Sequence, residues 1–98
     1  MRRPNIPEPS LPGEELVNAG LADLAAGHET DDALILQIAG PRLRSLGIAI
    51  PCPAGPRPFE HLLYERLEAR LGSAAHSHYN SLIRRIVSFA RALEQEQR

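Results

Sequence analysis

The chain has no tryptophan, no lysine and a single cysteine, and its aromatic side chains are limited to Phe59, Tyr64, Tyr79 and Phe89. Each shortage excludes something. One cysteine forms no intrachain disulfide, so no disulfide framework supports the fold. Four aromatics among 98 residues leave the core to be built from aliphatic side chains. No apolar run approaches the ~20 residues that cross a bilayer. Behind the basic start, Arg2-Arg3, there is no apolar segment of the kind a secretory signal needs. A cytoplasmic protein without a membrane role is expected.

Charge excludes less. The formal net charge of −1 gives no general attraction to nucleic acid or anionic lipid. Residues 1–50 carry four arginines against seven acids, and residues 51–98 seven against five. Every basic residue is arginine. GC-rich, bacterial-like coding accounts for that, whereas bidentate anion recognition would use it, since the guanidinium fork fits carboxylate and phosphate.

Proline and glycine set the organisation. Residues 1–12 hold four of the nine prolines and read as a flexible arm, leaving 13–98 as one helical domain. A first helix is predicted over 13–26, with Leu16, Val17, Gly20, Leu21, Leu24 and Ala25 on one stripe and Gly27 as its stop. Thr30 is an N-cap, followed by Asp31 and Asp32 in the first turn of a second helix. Leu34, Ile35, Ile38 and Ala39 form its buried stripe, with Leu36 half-buried. Gly40-Pro41 ends it and opens a short third helix over 41–46. Residues 51–58, Pro-Cys-Pro-Ala-Gly-Pro-Arg-Pro, form a stiff extended crossover.

A fourth helix over 58–71 centres on Phe59, Leu63 and Leu67, flanked by Leu62, Tyr64 and Leu71. A fifth, about 74–95, shows the clearest period: Ala75, Tyr79, Leu82, Ile83, Ile86, Ala90 and Leu93. Val87 and Phe89 widen its apolar face to roughly 160°. The sum is an all-α fold, a small bundle of four to five helices with a proline-rich crossover.

The chemistry-bearing residues are fewer. His76, Asn80 and Arg84 recur at steps of four along one flank of the fifth helix, and His78, Ser81 and Arg85 along the other. Arg66 and Arg70 lie within ~60° of Leu63 on the apolar face of the fourth helix, where a charge must snorkel, pair or meet a ligand. Pairing with Glu94 or Glu96 is the simpler expectation. An anion site shared by Arg66, Arg70, His76, Asn80 and Arg84 is the sharper one.

Metal binding finds no support. His76 and His78 project some 200° apart on a helix. His61 and Glu65 resemble a solvated surface pair, and neither Cys-x-x-Cys nor His-Glu-x-x-His occurs. No cofactor is indicated. Cys52 lies between prolines with no base near it in sequence, and Ser77 and Ser81 lack an orienting acid, so no catalytic residue is assigned.

The segment from Arg70 to His76 resembles the Arg–His spacing of the HEPN ribonucleases, small helical bundles. The likeness covers seven residues, and it departs from that family where Gly72-Ser73 interrupts the helix and Leu71 replaces a polar residue. It implies a catalytic Arg–His pair acting on RNA, carried here as the alternative. The primary expectation is a non-enzymatic interaction module that self-associates, a homodimer built on the fourth and fifth helices, with a further protein partner as an added possibility.

Overall fold

The computed structural model describes residues 11–53, 55 and 57–97. Five α-helices follow one another: α1 (Glu14–Ala26), α2 (Asp31–Ile38), α3 (Gly40–Ser45), α4 (Phe59–Leu71) and α5 (Ala75–Glu96), with a 3₁₀ turn at Gly72–Ala74 between the last two. No strand occurs among the described residues, and no helix is long and apolar enough to cross a membrane. Residues 1–10 of the expected arm lie outside the described residues. Leu11 packs against the core, and its backbone N–H donates to Glu14 Oε1 at 3.2 Å.

Local chemistry explains the helix ends. Gly27 takes φ 78°, the left-handed conformation that closes α1, and donates its N–H to Asp23 and Leu24 carbonyls. The Thr30 hydroxyl accepts from the Ala33 N–H at 3.1 Å and donates to Asp23 Oδ2 at 2.6 Å, which joins the start of α2 to α1. Pro41 occupies the first turn of α3, where its missing N–H costs nothing. The described residues between α3 and α4 are neither helix nor strand after Gly47. Ile50 nevertheless points into the core, held by Arg44 donating to its carbonyl at 3.1 Å.

Helix α2 occupies the centre and packs against α1, α3, α4 and α5. Ala33, Leu34, Ile35 and Leu36 are therefore all buried in succession, and Leu36 is fully enclosed rather than half-buried. Its surroundings explain the difference: α1 reaches it through the gap that Gly20 leaves. Leu63 and Leu67 of α4 and Leu82, Ile86 and Ala90 of α5 complete the interior, with Leu43 and Leu46 closing the far end. Ile83 is partly rather than fully buried, and Ala25 faces solvent at the end of α1. Every buried side chain in this core is apolar among the described residues.

Candidate interaction surface

Arg66 and Arg70 lie one turn apart on α4 and face the start of α2. Arg66 Nε donates to Asp31 Oδ1 at 3.0 Å and Arg70 to Oδ2 at 2.7 Å. One carboxylate thus takes a guanidinium on each oxygen. Burial pushes the Asp31 carboxyl upward, but the bonds from Arg70 and Arg66 outweigh it and hold the pKa below the ordinary aspartate value. The expected pairing with Glu94 or Glu96 does not occur. Glu94 instead accepts from Arg42 at 2.6 Å, and the arginines of α4 tie that helix to α2.

His76 and Asn80 belong to a second place. Asn80 Nδ2 and His76 Nε2 lie 3.2 Å apart, beside Tyr64, whose ring is 6.4 Å from that of His76 and 5.5 Å from that of Tyr79. Arg84 belongs to a third, a shallow groove lined by Pro12, Gly13, Ser81, Arg85 and Ser88. The five residues expected to share an anion site therefore do not converge. Arg66 and Arg70 are engaged by Asp31, because Asp31 in the first turn of α2 lies directly opposite them. The two residues of the ribonuclease-like spacing have separate partners: Arg70 contacts Asp31, whereas His76 lies beside Asn80 and Tyr64 beyond the 3₁₀ turn.

The other singled-out groups stand apart from one another. Cys52 is exposed. His61 and Glu65 form a surface pair at 3.0 Å. Among the described residues no three His, Cys, Asp or Glu side chains are grouped to hold a metal ion.

The concave apolar surface lies elsewhere. Ile38 and Ala39 at the end of α2, with Arg42 of α3, form one wall of a 340 Å³ groove. Ile83, Ile86, Val87, Ala90 and Arg91 of α5 form the other. Of the two residues that widen the apolar face of α5, Phe89 turns inward and is 3% exposed, while Val87 turns outward and is 41% exposed. The α5 wall was visible in the periodicity of the sequence. The α2–α3 wall was not, because Ile38 and Ala39 carry the same pattern as residues that are completely covered.

Charge on α5 is polarised. From Ala75 to Leu93 it carries Arg84, Arg85 and Arg91 and no acid; its acids, Glu94 and Glu96, stand in the last turn. Neither end complements the helix macrodipole, which favours anions at the start and cations at the end. No protein family, curated protein or solved structure matches the chain.

Proposed function

We propose that the chain is a non-enzymatic helical interaction module whose partner is a second copy of itself, bound through the groove between α2–α3 and α5. The carrying observation is Val87, an aliphatic side chain 41% exposed in a mostly apolar groove that Arg42 and Arg91 also line. Val87 is continuous with Ile38, Ala39, Ile83 and Ala90 in that groove, and contiguous apolar surface rimmed by charge marks interfaces. The polarised charge of α5 favours a copy of the same helix as occupant. Turned antiparallel, its acidic end meets the acid-free half of its partner, and the two macrodipoles oppose. A two-fold axis closes such a contact with one patch used twice.

Sedimentation velocity at micromolar concentration tests this. The expected species has twice the 10.8 kDa chain mass. Val87→Asp should return it to one chain mass with unchanged helicity. A parent protein that sediments as a single chain overturns the proposal.

A further inference from the structure

The flank of α5 that carries Val87 has a repeat of its own. His76, Asn80, Ile83, Val87, Ala90 and Glu94 follow one another at alternating steps of four and three residues. That spacing averages about 3.5 residues, the repeat of a helix seam that packs against another helix along its whole length. It shares only Ala90 with the inward stripe of Ala75, Leu82, Ile86, Phe89 and Ala90 that the core consumes. Along the lateral stripe, exposure is intermediate at Asn80, Ile83 and Glu94 and high at His76 and Val87, with only Ala90 buried.

Resting on the self-association proposed above, we infer that the occupant of the groove is α5 of the second copy, antiparallel, in the register that sets Ile83 against the partner's Val87. One register choice then fixes the others. Asn80 meets the partner's Ala90, and His76 meets the partner's Glu94. The helix is about 33 Å long, so this register overlaps nearly all of it.

Charge selects this arrangement over the parallel one. In a parallel pair, Glu94 would meet Glu94 and Arg91 would approach Arg91, with aligned macrodipoles. In the antiparallel register, the Glu94 carboxylate, already held by Arg42, lies over the first turns of the partner's α5. Those turns form the positive end of the helix macrodipole and carry no acid. One contact opposes the register: Arg84 of each copy meets at the solvent edge of the seam. Arg84 is exposed, so water and salt screen that repulsion.

Disulfide trapping tests the register separately from the association. In a Cys52→Ser background, Ile83→Cys and Val87→Cys are made as single variants and oxidised alone and mixed. The mixture should give covalent dimer in about tenfold excess over either variant alone, because only unlike positions come within bonding reach. His76→Cys with Glu94→Cys is a second pair, at one exposed and one half-buried position, and it should behave the same way. Equal cross-linking of each variant with itself, or none in either mixture while sedimentation still shows a dimer, overturns the register and leaves the association standing. A parent protein that sediments as a single chain removes both.

Discussion

Substituting Gly20 by alanine inserts one methyl group where α1 crosses α2. A Cβ built there lies 2.7 Å from the Asp32 carbonyl oxygen and 2.7 Å from both Cγ and Cδ1 of Leu36. Carbon atoms in favourable contact are about 3.5–4.0 Å apart, so the two helices must separate by most of an ångström. Leu36 is fully enclosed and the carbonyl belongs to helix backbone, so neither yields cheaply. On an exposed helix the same change would stabilise by about 0.5–1 kcal/mol. Overpacking a close-packed interior costs about 1–3 kcal/mol; with backbone and an enclosed side chain both at 2.7 Å the upper part applies, about 2–3 kcal/mol, which leaves a net loss of about 1–2.5 kcal/mol. For a domain of this size that lowers the melting temperature by about 5–15 °C. Thermal and urea unfolding followed by far-ultraviolet circular dichroism measure it. Asn18→Ala, on the exposed face of the same helix, is the control and should be neutral or stabilising. If Gly20→Ala is as stable as the parent, the close crossing of α1 and α2 is wrong.

Further outcomes follow from the same packing. Ile86→Ala should cost about 2–5 kcal/mol in urea unfolding, because Ile86 is 3% exposed and packed in the core. Phe89→Asp should unfold the domain, whereas Val87→Asp should leave it folded; equal helicity of the two variants would show that their opposite orientations are misassigned. Asp31→Asn should destabilise by about 1–2 kcal/mol at neutral pH, read by the same unfolding, since two partly exposed arginines lose the carboxylate charge and one of its two acceptor oxygens. The pH dependence has a definite sign. The folded pKa of Asp31 is depressed, so its contribution is present above the ordinary aspartate value and disappears as pH falls through the lowered one. Asp32 acts oppositely: burial and the nearby Asp23 charge raise its pKa, so its protonation on acidification relieves the folded state. Asp31→Asn should therefore flatten the acid limb of the stability curve, and Asp32→Asn should steepen it.

The helix boundaries were legible because their causes are local. Thr30 caps by reaching three residues ahead, Gly27 reverses the chain at its own φ, and Gly40-Pro41 ends one helix and opens the next within a dipeptide. The inward stripes of α4 and α5 were legible from period alone. What the sequence could not specify was which element lies opposite a given side chain. Arg66 and Arg70 were recognisable as charges on an apolar face, but Asp31, some 35 to 39 residues away, was one acid among twelve. Burial of Leu36 beyond half depends on Gly20 admitting α1, again a matter of a neighbour rather than of period. The groove belongs to the same category, since an apolar stripe shows which face seeks cover and not where cover ends.

The central position of α2 bears on how this chain must fold. The helix has eight residues, and isolated helices shorter than about 12–15 residues are marginal in water. Its four consecutive buried residues receive cover from helices on both sides of the crossover, α1 and α3 before it and α4 and α5 after it. Neither half of the chain therefore contains a finished interior. A cut within residues 51–58 would yield two fragments with little helix in α2 until they meet, and structure would return only on their recombination. The interior around Leu34 and Ile35 is thus completed only when both halves of the chain are in place, however clear the helix signals are along the sequence.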